Sequence, residues 1–462
     1  MSWQIEGFLE TRNGHLTIDG TDVVELARQF GSPLFVFSER RIRHNIDRLK
    51  QVENVIGCPL KLCYAAKAMS TLGILRAVKD AGCDIEVNSG GELWKALKAG
   101  FTGDQITFNG TSKETWEIEL AIENDIYAIQ VDSLFELSLI EQAARRLGKR
   151  ANASLRLVPE IESDTHSGLQ TALLTSKFGM MPDEAYAAVA AHADSPHINI
   201  CGVHLHIGSQ NPDPAVYTAA FETLFASLVC VFSETGQKLR HINLGGGFPV
   251  RYLDDDATDL DSKQRAMLAA DYEPADAIRP AWEAVRRAAK TAGAEHLLDG
   301  LTLLLEPGRS IIADTGICLT TVRNVKSRPN AERGEDRWLL TDAGFNILLS
   351  METYKWYYEL ISAERADAAH DTLYKVAGPL CDGGDVYFDI EGEDRLPEFR
   401  RLPSNIEPGE ILTLLNCGAY SLSQGSQYNA RFLPAVVLIR ADGNPTLIRR
   451  RDNFEDLVAA DL

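Results

Sequence analysis

The sequence predicts an α/β fold, a (β/α)8 TIM barrel with a C-terminal β domain of sandwich or barrel type, and three observations lead there. Between residues 60 and 305, short apolar, β-branched runs alternate with longer stretches of helical period. Eight such runs fall within about 250 residues, the count and size of a TIM barrel. After residue 312 the rhythm changes to short strands punctuated by Gly, Pro and Asp.

The elements follow in order. Segment 16–37 holds a strand-like stretch at 34–37 ahead of the barrel, expected to pair with the C-terminal strands. The barrel strands fall at 60–66, 83–87, 105–109, 127–131, 153–158, 198–207, 241–244 and 301–305, with helices such as 92–99, 134–147 and 216–232 between them. A doubly wound open sheet would place its glycine-rich turn after the first strand. Here the triplet Gly245, Gly246 and Gly247 follows the seventh, where barrel enzymes bind phosphate on close backbone N–H groups. Later strands are expected at 318–325, 338–341, 373–376, 411–415 and 435–439. This divides the chain into a barrel at 38–313 and a β domain made of 1–37 plus 314–462. The acidic stretch 254–261 lacks the spacing of a calcium loop and reads as a solvated turn.

With 462 residues, 45% of them hydrophobic, the chain can bury sizeable cores without disulfides. Its 66 acidic against 46 basic residues give a net charge of −20, which argues against nucleic acid and anionic membrane as partners. The eight cysteines show no CxxC pairing, pointing to reduced thiols and a cytoplasmic address. The first residues lack a basic and an apolar region, and no later apolar run reaches the roughly 20 residues of a membrane span.

Lys67 stands where the first strand gives way to a helix, a position from which an amine can hold an aldehyde cofactor. Pyridoxal phosphate needs such a lysine, a phosphate cup and a partner for its pyridine nitrogen. The strand ends offer all three. Lys67, expected to be partly desolvated, would form the imine; Gly245, Gly246, Gly247, Gly308 and Arg309 would hold the phosphate. Glu306, directly after Leu303, Leu304 and Leu305, would meet the ring nitrogen and make the cofactor a strong electron sink. His206 could stack on the ring, although His204 shares its face by period two and competes. Ser209 could donate to the phosphate or be a turn residue.

These segments carry a resemblance. YAAKA around Lys67, SGGE at 89–92, HIGSQ at 206–210, GGGFP at 245–249, EPGR at 306–309, GPLCDGGD at 378–385 and GAY at 418–420 resemble the fold-type III pyridoxal phosphate decarboxylases of diaminopimelate, ornithine and arginine. The resemblance spans nearly the whole chain. It implies that Lys67 carries the Schiff base, His206 stacks on the ring and Glu306 meets the pyridine nitrogen. Ser209, the three glycines, Arg309 and Tyr420 would hold the phosphate. It further implies a homodimer with shared active sites: Cys381 reaches the partner's site to protonate Cα, Asp382 faces the distal end of the substrate, and Lys177 pairs with Asp385 of the other chain.

Diaminopimelate decarboxylases typically carry an Arg-Pro pair after the Asp-Ala-Gly motif, and a Glu after the active-site Cys. Here Ser350-Met351 and Asp382 occupy those places. A lost cation and a retained anion favour a substrate ending in an ammonium. The pattern, including the loop around His166, therefore looks most like D-ornithine/D-lysine decarboxylases, with Asp382, Arg309, Ser350 and Tyr420 lining the substrate site. meso-Diaminopimelate ranks second. A racemase of the same barrel would put an arginine at the ring nitrogen, and Glu306 argues against it. A bare cofactor carrier does not account for the β domain and Cys381. A silent relative usually loses the lysine or the cysteine, and both are present.

Overall fold

The computed structural model describes residues 3–158, 161, 176–253, 260–393 and 395–462. The chain divides into two compact units, one of residues 44–249 and 270–311 and one of residues 1–43, 250–269 and 312–462. Segment 250–269, assigned to the barrel on sequence, thus belongs with the C-terminal unit. The His166 loop and most of the acidic stretch lie outside the described residues.

The first unit contains a closed barrel of eight parallel strands. In chain order these are Leu60–Ala65, Asp84–Val87, Ile106–Phe108, Ala128–Val131, Ala151–Arg156, Ile198–His204, His241–Asn243 and Thr302–Leu305. All eight fall on the expected runs, and the eighth closes on the first through Leu303 opposite Leu60. Apolar side chains dominate the strands because parallel strands in a barrel are covered on both faces. Polar exceptions at their C-terminal ends, Glu86, Thr107, Asn109, His204 and Asn243, are buried.

Helix starts are set locally. The SGGE motif is an N-cap: Ser89 Oγ accepts the Glu92 N–H at the start of Gly90–Ala99. Ser133 does the same for Glu136 in Leu134–Leu147. Each cap satisfies an otherwise unpaired first-turn donor. The helix Val216–Thr235 corrects the hydropathy reading, because its 20 residues are long and apolar enough by length and composition to cross a membrane. Its buried face, including Tyr217, Phe221, Leu224 and Leu228, packs within the barrel unit.

In the second unit, Leu34–Ser38 lies between Gly316–Asn330, which it pairs antiparallel, and Ala435–Ile439, which it pairs parallel. Gly316–Asn330 also pairs with Gly334–Thr341 and Ile411–Leu414. Leu34, Val36, Ile317, Leu319, Val437 and Ile439 share one apolar core. The sequence reading did not anticipate the short strands Leu360–Ser362, Arg400–Leu402 and Pro445–Arg449. The first two have three residues each, too few for a period to show, and the third opens on a proline.

Candidate active site

The site residues of the barrel unit stand just past the C-terminal ends of its strands, where barrel folds gather catalytic groups. Lys67 occupies a 3-10 turn, Ala66–Ala68, after the first strand. It is exposed there, not partly desolvated as expected, because the turn carries it beyond the strand end. Its charge still reaches inward, lowering the proton affinity of Glu306, Glu92, His204 and His206.

Glu306 is buried. Oε1 accepts from Asn243 Nδ2 at 2.7 Å and Thr107 Oγ1 at 3.2 Å, and Oε2 accepts from Asn109 Nδ2 at 2.9 Å. These donors are neutral, and Asn109 Nδ2 also donates to Glu86 Oε1 at 2.8 Å. Burial first, and the second carboxylate next, push the Glu306 acid up to about 7. A protonated pyridine nitrogen is the cation such a group lacks, so the carboxylate fits pyridoxal phosphate.

The two histidines separate. His204, on the sixth strand, points into the barrel with Nε2 3.5 Å from Glu306 Oε2. His206 lies in the following loop, half-buried, and its Nδ1 accepts the Gly246 N–H at 3.2 Å. Burial, with Lys67 and Arg156 nearby, holds His206 well below the usual histidine range. It is therefore neutral, with its proton on Nε2, as suits a ring that stacks.

Ser209 and Arg309 are joined, Arg309 Nε donating to Ser209 Oγ at 3.2 Å. Between them runs the glycine triplet. A Cβ at Gly245 would lie 2.4 Å from His206 Nδ1, one at Gly246 2.6 Å from the Glu306 carbonyl oxygen, and one at Gly247 2.4 Å from Asn211 Nδ2. Gly245 and Gly247 also hold φ of 69° and 100°, which L side chains resist. The bare backbone cradle and adjacent guanidinium fit a phosphate. Gly308 sits buried in the turn that leads into Arg309–Ile312.

The second unit holds the remaining residues. Cys381 is exposed, and its N–H donates to Asn429 Oδ1 at 2.6 Å. Asp382 is also exposed, Oδ1 accepting from Gly384 N and Oδ2 from Tyr428 O–H. Asp385 is buried and accepts the Phe345 and Leu380 N–H groups, each at 2.8 Å, so within one chain it ties its own loop. Tyr420 is half-buried with φ of 55°. Ser350 is buried, and its hydroxyl bridges Tyr420 O and Gln424 Oε1, both at 3.0 Å. It ties the Tyr420 turn to the Gln424 side chain.

Sequence reasoning missed Thr107, Asn109, Asn243 and Glu86, the frame around Glu306. A polar residue pointing inward by period two in an apolar strand was the available signal.

Residues 41–313 match the family model of the pyridoxal binding domain of pyridoxal-dependent decarboxylases. The chain belongs to that family. This pyridoxal-dependent decarboxylase is a carboxy-lyase with pyridoxal phosphate as cofactor. It is 33% identical to the diaminopimelate decarboxylase of Bacillus subtilis strain 168 over 98% of this chain and 96% of that protein. A crystal structure of the Methanocaldococcus jannaschii diaminopimelate decarboxylase is similar with a TM-score of 0.83, 32% identity and coverage of 98% and 97%. A second, of the same enzyme with L-lysine, is similar with a TM-score of 0.82, 32% identity and coverage of 98% of both chains. These relatives overturn the ranking of D-ornithine and D-lysine as first substrates. That ranking rested on a missing arginine, a retained acid at Asp382 and the motif pattern, and the near full-length similarity to diaminopimelate decarboxylases outweighs those few positions.

Proposed function

We propose that this decarboxylase acts on meso-diaminopimelate, releasing CO2 and L-lysine. The observation that carries the reading is the near full-length similarity to diaminopimelate decarboxylases, which runs through both units. Pyridoxal phosphate, when bound, supplies the electron sink that lets a Cα–carboxylate bond break. Lys67 would hold its aldehyde carbon, and Ser209, Arg309, Tyr420 and the glycine cradle would hold its phosphate. Glu306, fixed by three donors, keeps the ring nitrogen protonated. His206, neutral and accepting the Gly246 N–H, would stack on the ring.

The working form is a homodimer in which Cys381 and Asp382 of each chain serve the other chain's site. The exposed thiol on a loop fastened by Asn429 and Asp385 supports that role. There Cys381 delivers a proton to Cα after CO2 has left, and Asp382 faces the far end of the substrate.

The test is to incubate the cofactor-loaded protein with meso-diaminopimelate and measure CO2 and L-lysine together. Stoichiometric formation of both, lost in Lys67→Ala, is expected. No turnover of meso-diaminopimelate by a protein that decarboxylates another amino acid would overturn the reading.

A further inference from the structure

The second unit contains a cavity of about 670 Å³, lined by residues of that unit alone. That volume suits a small organic ligand. Its charged lining consists of three arginines, Arg323, Arg431 and Arg451, and one carboxylate, Asp342. The chain as a whole carries a net charge of −20, so a concave surface of the opposite sign runs against its composition. Such a surface focuses its field on anions.

The one carboxylate is already committed. Asp342 Oδ2 accepts from Arg323 Nε at 3.0 Å, Arg323 Nη2 at 2.6 Å and Ser32 O–H at 2.6 Å, and Oδ1 accepts from Thr320 O–H and the Thr321 N–H. Arg431 and Arg451 have only carbonyl oxygens: Arg431 Nη2 donates to Pro379 O at 2.9 Å, and Arg451 Nη2 donates to Pro33 O at 2.7 Å. Among the described residues neither forms an ion pair. Asp452, next to Arg451 in the chain, is taken by Arg449, Gln427 and the Leu433 N–H. Burial lowers the proton affinity of Arg451, Asp342 offsets this, and Arg323 adds to it, so these guanidiniums feel each other's charge. Three guanidiniums against one carboxylate leave the cavity with a surplus of two positive charges.

The same lining includes Phe432 and Phe454, whose ring centroids are 5.1 Å apart at 77°, and Phe454 is 77% exposed. An inorganic anion has no use for the rings, and an apolar ligand has none for the charge. A phosphate monoester carries close to two negative charges at neutral pH and offers oxygens that match guanidinium forks. We propose that this cavity binds a phosphate monoester joined to a planar ring, Arg431 and Arg451 taking the phosphate and the two phenylalanines the ring. The inference does not depend on which amino acid the enzyme decarboxylates.

The test is calorimetric titration of the cofactor-loaded enzyme, whose barrel cradle is then filled, with adenosine monophosphate, adenosine and inorganic phosphate. Excess pyridoxal phosphate, itself a phosphate on a planar ring, is dialysed away first. The wild type should bind the nucleotide about tenfold or more tightly than either fragment. Arg431→Met and Arg451→Met should each weaken the nucleotide by about tenfold to a hundredfold, the worth of a charged hydrogen bond, and leave adenosine unchanged. Arg451 also holds the Pro33 carbonyl, so Arg431→Met, at an exposed side chain and checked for an undiminished Tm, decides the matter if Arg451→Met does not fold. Absence of saturable nucleotide binding, inorganic phosphate binding as tightly as the nucleotide, or an affinity that Arg431→Met leaves unchanged overturns the inference.

Discussion

Replacing Glu306 by glutamine should stabilise the cofactor-free enzyme while weakening its hold on the cofactor. The acid is pushed from 4.5 up to about 7 by burial and by Glu86. A group with a folded pKa raised in this way favours the folded state while it is protonated. Its contribution is fully present below the unfolded value and is lost as pH rises through the folded one. At about 1.36 kcal/mol per pH unit, ionised Glu306 costs the apo fold on the order of 3 kcal/mol above neutral pH. The amide removes that cost but brings an N–H against Asn109 Nδ2, forfeiting about one hydrogen bond, ~1 kcal/mol. The net gain is about 2 kcal/mol at about pH 8, on the order of 4 °C in Tm for a unit of this size. At about pH 4 the sign reverses, because wild-type Glu306 is then protonated and only the lost hydrogen bond remains. Calorimetric Tm of both apoproteins across this range, with a pyridoxal phosphate titration at its alkaline end, checks both halves. Parallel Tm curves, or an unchanged cofactor affinity, would refute the reasoning.

Two further outcomes follow from the site. Gly246→Ala forces a Cβ to within 2.6 Å of a backbone carbonyl that cannot swing aside; destabilisation of about 1–3 kcal/mol and a weaker cofactor are expected, measured by Tm and by absorbance titration. Cys381→Ala keeps the N–H that Asn429 holds, so cofactor affinity should be preserved while kcat falls by about a hundredfold or more, the worth of a positioned proton donor. Steady-state CO2 release checks it, and undiminished turnover would remove the thiol from the reaction.

The strands and the loops after them were legible because each barrel strand is an apolar run ending in a distinctive residue. Lys67, His206, Gly245 and Glu306 all stand at such ends. Their environments were not legible in the same way. The exposure of Lys67 depends on a three-residue turn, and the burial of Ser350 on acceptors at Tyr420 and Gln424, some 70 positions away along the chain. Asn109 and Asn243 are single polar letters in apolar words, and only their convergence on Glu306 gives them meaning.

The strand Leu34–Ser38 bears on how the protein is made. It leaves the ribosome before the barrel, but both partners that flank it, Gly316–Asn330 and Ala435–Ile439, are synthesised only after the barrel. Leu34, Val36 and Phe37 must therefore wait, apolar and unpaired, through synthesis of the barrel, whose strands can meanwhile close on one another. A nascent chain stalled before Ala435 would expose a strand edge of the kind that chaperones hold and that aggregates recruit.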